Sequence, residues 1–226
     1  MVTEEDRQLM WREYAPDLHM RLNQGIRRRL APLLDNDLRK LALANSLLFT
    51  LPGSPILYYW DEIGIGENIW LDDRNGVRTP MQWNSGPNAG FSNAPSNQLY
   101  LPLIEDPDFD PEVVNVVYQE ADPDSLLNLI KHFISIRKQN ISLGSGNLEW
   151  AEAGSNPAIL AFYRSAQQET ILAVHNLSDS LQVAAISCPP GSRFDNLFGG
   201  ERLEAGLKGI LQLELKPYQY LWLKRI

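Results

Sequence analysis

With 226 residues, a net charge of −8 and a hydrophobic share of 44%, the chain has the make-up of a soluble globular protein of one large domain or two small ones. The acidic balance argues against a nucleic-acid surface, and no apolar run approaches the length of a membrane span. The single cysteine, Cys188, cannot close an internal disulfide, and no CxxC or His/Cys cluster offers a metal site, so a reducing, cytoplasmic compartment is expected. The opening MVTEEDRQLM is acidic and polar and does not read as a signal peptide.

Residues 3 to about 23 read as a helix capped by Thr3 and acidic in its first turn, or equally, because Pro16 interrupts it, as two short helices. Leu9, Met10 and Tyr14 mark its apolar face. A connector with three consecutive arginines, Arg27, Arg28 and Arg29, leads to Asp35-Asn36-Asp37, a helix-start signal. In an acidic protein these arginines are expected to pair with neighbouring Asp and Glu side chains or to meet further elements of a larger fold. A mostly apolar helix then runs from Leu38 to Leu51 and is stopped by Pro52-Gly53. Ile56-Leu57-Tyr58-Tyr59 is apolar at every position, the pattern of a short strand over 55–60 covered on both faces, as in a parallel sheet backed by helices.

The loop beyond that strand carries the chemistry. Asp61-Glu62 is followed by Asp72, Asp73, Arg74 and Arg78, and the run closes on Met81-Gln82-Trp83. Carboxylates, arginines and indoles gathered past a strand end suit a sugar site, where charged groups bind hydroxyls and rings carry pyranose faces. The same residues also fit an ordinary solvated loop, with Pro80 fixing a turn. Residues 84–123 form a long loop whose aromatics Phe91, Tyr100 and Phe109 favour order. Asp122-Pro123-Asp124-Ser125 then caps an amphipathic helix with Leu126, Leu129, Ile130, Phe133, Ile134 and Ile136 inward. From Leu148 onward six β-patterned runs follow, LEWAE, AILAFYR, TILAVHN, LQVAAIS, ILQLELK and YQYLWLK, which predict a small antiparallel β-domain.

Several runs resemble glycoside hydrolase family 13, the α-amylase family, and within it the trehalose synthase group. They are GIRRRLAPLL at 25–34, NSLLFTLPGSPILYYWDEIGIGENI at 45–69, DRNGVRTPMQW at 73–83, NAGFS at 88–92, LYLPLIEDP at 99–107 and VNVVYQEADPDSLLN at 114–128. The resemblance implies an α+β or α/β chain: residues 1–140 as the C-terminal part of a (β/α)8 TIM barrel, holding its last helices and strand eight, and residues 141–226 as a β-sandwich domain. It implies that the three catalytic carboxylates of the family lie outside this chain, so no residue here is assigned a catalytic role. Asp61 and Glu62 are poor substitutes, because a retaining pair must flank one bond with carboxyls ~5 Å apart, whereas adjacent residues at a strand end point to opposite faces.

By the same resemblance Arg78 contributes to the subsite for the non-reducing glucose, with Asp73 and Arg74 at its rim or ordering the loop. Asp61 and Glu62 are expected to hold the strand-end loop by accepting backbone N–H groups. Trp60 stands where the family usually has glycine. Trp70, Trp83 and Phe91 are expected to pack and not to serve as platforms. No cofactor or metal is implied. The implied ligand is an α-glucoside such as maltose or trehalose, and the apolar 38–60 segment predicts an N-terminal complementing chain or a homo-oligomer. The leading function is therefore the C-terminal portion of a trehalose-synthase-like α-glucosyl transferase/hydrolase, inactive alone. A stand-alone carbohydrate-binding or structural module and a fragment of an α-glucosidase are the alternatives.

Overall fold

The computed structural model describes residues 2–226, which divide into two compact units: residues 2–41 with 57–129, and residues 42–56 with 130–226. Among these residues no helix is long and apolar enough to cross a membrane.

The first unit opens on helix α1 (Glu4–Tyr14), where Thr3 and Asp6 cap each other's backbone reciprocally. The break expected at Pro16 is present: α1 stops at Tyr14, and a single 3-10 turn, Leu18–Met20, follows the proline. A tight hairpin comes next, strands β1 (Arg21–Leu22) and β2 (Gly25–Ile26) about a turn at Asn23. None of α1 is buried, so Leu9, Met10 and Tyr14 do not form the covered face that their spacing suggested. A short helix α2 (Leu30–Leu33) leads into helix α3 (Leu38–Thr50), whose residues from Ala42 onward belong to the second unit.

The segment 55–60 corrects the sequence reading. It forms no strand: Ile56 is 83% exposed, and Tyr58 and Tyr59 are exposed beside it. A parallel strand draws its hydrogen bonds from strands on either side, and no partner strand accompanies this one among the described residues. From there to residue 115 the chain runs through 3-10 turns at Asp61–Ile63, Asn75–Val77, Pro87–Gly90, Ser96–Gln98 and Pro107–Phe109. Of the expected ordering aromatics Phe109 is buried, whereas Phe91 and Tyr100 are exposed, and buried polar anchors supply further order. Asn88 donates to the Ser92 and Ala94 carbonyls at 2.9 and 2.7 Å. Gln82, fully buried, donates to the carbonyls of Phe109 and Val114. Helix α4 (Val116–Ala121) is capped by Asn115, and helix α5 (Leu126–Gln139) by Ser125.

The second unit is built on eight antiparallel strands. The larger sheet has the order β3-β4-β5-β10-β7-β8, made of Asn147–Trp150, Ile159–Ala166, Glu169–Asn176, Tyr220–Arg225, Arg193–Asn196 and Leu203–Glu204. The smaller pairs β6 (Gln182–Ser187) with β9 (Ile210–Leu215). The alternation read from ILQLELK places Leu211, Leu213 and Leu215 inward, where they meet Leu172, Val174, Ile186 and Phe194 in one core. The short strands β7 and β8 carry too few alternating residues to be recognised from sequence. The other face of the larger sheet is covered by residues 42–50 and 130–139. Phe133 stacks on Trp222 with centroids 4.9 Å apart, Trp222 donates its indole N–H to Ser46 Oγ at 2.8 Å, and Ser46 meets His175 Nε2 at 2.9 Å. A short helix α6 (Ile141–Ser145) lies against β4 and β5.

Candidate functional site

The loop from Tyr58 to Trp83 is shaped by the three arginines that precede α2. Arg27, buried, spends its guanidinium on backbone carbonyls: Ile69 at 2.6 Å, Leu71 at 2.5 Å, Asp73 and His19. Five N–H donors in a rigid fork make such multiple capture possible, where a lysine point charge would not. Arg28 pairs with Glu67, whose second carboxylate oxygen accepts the backbone N–H of Arg29. Arg29 bonds the Tyr59 carbonyl and Asp61 Oδ1, each at 3.1 Å, and the Val77 carbonyl. Its guanidinium also lies 4.7 Å from the Tyr58 ring centre and 4.6 Å from that of Trp60. Two of the three arginines thus form the ion pairs that the sequence suggested, and Arg27 does not.

These arginines and Glu67 are the residues that sequence reasoning did not assign to the loop. Their signal was present: three arginines among apolar residues of an acidic chain are poorly suited to a solvated face. Glu67 is nearly buried, and burial pushes its carboxyl above the usual range in spite of the N–H donors from Arg29 and Arg28. A glycine completes the frame. A Cβ on Gly76 would lie 2.1 Å from the Asn68 carbonyl oxygen, at the point where Asn68 N–H bonds Gly76 O at 2.9 Å.

Against this frame the expected site residues fall into two groups. Trp60, Asp61 and Arg78 cluster around Tyr59. Trp60 is fully buried, packs on the Tyr59 ring with centroids 4.1 Å apart, and has φ of +83°, a left-handed conformation that only glycine adopts freely. Asp61 bonds the Tyr58 N–H at 3.3 Å and Arg29, and half-buried Glu62 lies in the same 3-10 turn. Arg78 is exposed, and its positive charge, with that of Arg29, counters the upward push that burial gives the Tyr59 hydroxyl. Asp73 and Arg74 stand apart on an exposed turn, where Asp73 enters the network through its carbonyl and not its carboxylate. Trp70, Trp83 and Phe91 do not pack as expected: all three are exposed. A recess of 360 Å³ lies between Arg28, Arg29, Leu33, Tyr58, Asp61 and Val77. No group of three or more His, Cys, Asp and Glu side chains is arranged to hold a metal ion among the described residues.

Residues 23–146 match the family model of the alpha amylase catalytic domain, and residues 152–222 that of the maltogenic amylase C-terminal domain. The chain belongs to the α-amylase family, glycoside hydrolase family 13. It is similar to the trehalose synthase of Pimelobacter sp. (strain R48), with 52% identity over 182 residues that cover 79% of this chain and 32% of the relative. It is also similar to the trehalose synthase of Thermus thermophilus, with 40% identity over 230 residues, 96% of this chain and 24% of that one. A probable alpha-glucosidase of Rhizobium meliloti is 32% identical over 73% of this chain and 30% of its own length. The chain therefore spans a third or less of the length of these relatives. Among solved structures, the trehalulose synthase of Pseudomonas mesoacidophila MX-45 shares the fold at a TM-score of 0.69 and 22% identity, over 88% of this chain and 41% of that chain. An α-amylase from H. orenii does so at 0.67 and 24%, over 88% and 38%.

Proposed function

We propose that this chain is the C-terminal portion of a trehalose-synthase-like α-glucosyl transferase/hydrolase. Residues 1–140 are then the end of the catalytic barrel and 141–226 its C-terminal domain. The observation that carries this reading is the 52% identity to a trehalose synthase over 182 residues. The parent reaction is the conversion of maltose to trehalose, and the ligand is an α-glucoside.

Arg78, exposed at the end of the 75–77 turn and near Tyr59, offers the non-reducing glucose a guanidinium, with Asp73 and Arg74 at the rim. Asp61 and Glu62 support the loop. The chain supplies the floor of the sugar site and not the reacting carboxylates, so it is inactive alone. Exposed Ile56, Tyr58 and Tyr59 favour an N-terminal complementing chain, or failing that self-association, because an apolar row of this kind is costly in water. The free thiol of Cys188 fits a cytoplasmic setting. An α-glucosidase parent is the second reading, and the lower identity of 32% to the Rhizobium protein weighs against it.

Incubating the purified chain with maltose and following trehalose and glucose by proton NMR tests the reading. No product is expected over a long incubation. Trehalose that forms from the chain alone, and disappears in Arg78→Ala, would place the catalytic centre within these residues and refute it.

A further inference from the structure

A second cleft, of 470 Å³, opens in the first unit with the Arg28–Glu67 pair in its lining, and Arg78, Asp73 and Arg74 do not line it. Its edge is the indole of Trp70, 69% exposed, with the His19 ring tilted against it at 4.8 Å. The platform is held at the backbone. Trp70 N–H bonds Asn68 Oδ1 at 3.1 Å, and Arg27 grips the carbonyls on either side of it, Ile69 and Leu71. Glu105 and Asp106 supply further polar wall, and Asp106 is fixed by accepting the Asp108 N–H at 3.0 Å. The Arg28–Glu67 pair adds a guanidinium, and buried Phe109 supplies apolar lining.

This lining selects a ligand class. Three carboxylates against one guanidinium leave the wall negative, which repels anions. A purely apolar ligand would strip water from Glu105 and Asp106 without replacing its hydrogen bonds. A neutral sugar ring satisfies both parts: its C–H face lies on the indole, and its hydroxyls donate to the carboxylates and accept from Arg28. The volume is within the range of small-molecule sites. We propose that this cleft binds a neutral pyranose, with Trp70 as the platform and Glu105, Asp106 and Arg28 as the hydroxyl contacts. The inference rests on the cleft's own chemistry and is separate from the role given to Arg78.

Saturation-transfer NMR on the whole chain, with maltose and methyl α-glucopyranoside as probes and tetramethylammonium as a cationic control, tests it. Saturable transfer to the sugars is expected in the millimolar range, weakened about tenfold in Trp70→Ala and severalfold in Glu105→Gln. Because Trp70 is exposed, Trp70→Ala should keep the circular dichroism of the parent. The proposal is overturned by absence of saturable sugar transfer, by a response to tetramethylammonium alone, or by sugar binding that survives Trp70→Ala undiminished. Failure to form trehalose bears on the proposed reaction and not on this site.

Discussion

Acidification should destabilise the protein through one buried imidazole. His175 is fully buried on β5, stacked on the Phe162 ring at 5.7 Å and bonded to Ser46. Burial drives its pKa from the ordinary 6.5 down to about 3. The sign follows from proton uptake. Between those two values the unfolded chain binds a proton on this residue and the folded chain does not, so stability falls as pH drops below 6.5 and the loss levels off near 3. At about 1.4 kcal/mol per pH unit, lowering the pH from 7 to 5 should cost about 2 kcal/mol. Urea unfolding at both pH values reads this directly. His175→Gln can keep a hydrogen bond to Ser46 without titrating, so it should be less stable at pH 7 yet lose most of the decline towards pH 5. The window stays above the range in which paired carboxylates such as Asp37, held down to about 2 by Arg39, take up protons. Equal pH slopes in the parent and His175→Gln would refute the reasoning.

Arg27→Lys removes the fork that grips four carbonyls, and hydrogen exchange should rise across residues 69–73, with a stability loss of about 2–3 kcal/mol. Exchange confined to the hairpin at 21–26 would contradict that role. Trp60→Gly relieves a left-handed backbone by about 1–2 kcal/mol but empties a buried indole site, commonly about 3–5 kcal/mol, so a net loss of about 2 kcal/mol is expected in thermal unfolding. A gain would mean that the indole contributes little packing. Gly76→Ala pushes a methyl into the Asn68 carbonyl and should lower the unfolding midpoint. An unchanged midpoint would show that this close approach yields freely.

What the sequence revealed depends on how local the signal was. The six β-runs from Leu148 onward and the helix at 126–139 were legible because alternation and the i, i+3, i+4 spacing act over a few residues. The strand at 55–60 was misread because its apolar run reports what a strand needs on both faces, and no such neighbours accompany it among the described residues. The site was legible in its residue types and not in its wiring. Asp61 and Arg78 were singled out by charge, but their placement depends on Arg27, Arg29 and Glu67, which act across 30 to 50 residues. The oddity at Trp60 was readable as a residue out of place, and its physical meaning came only with the positive φ.

Complementation tests the central claim most directly. The chain would be mixed with a separately produced N-terminal portion of the Pimelobacter trehalose synthase, complex formation followed by size, and maltose conversion by proton NMR. The account predicts a complex that makes trehalose, silence from either portion alone, and loss of activity in Arg78→Ala without loss of the complex. A complex that forms and makes no trehalose, or trehalose made by this chain alone, would contradict it.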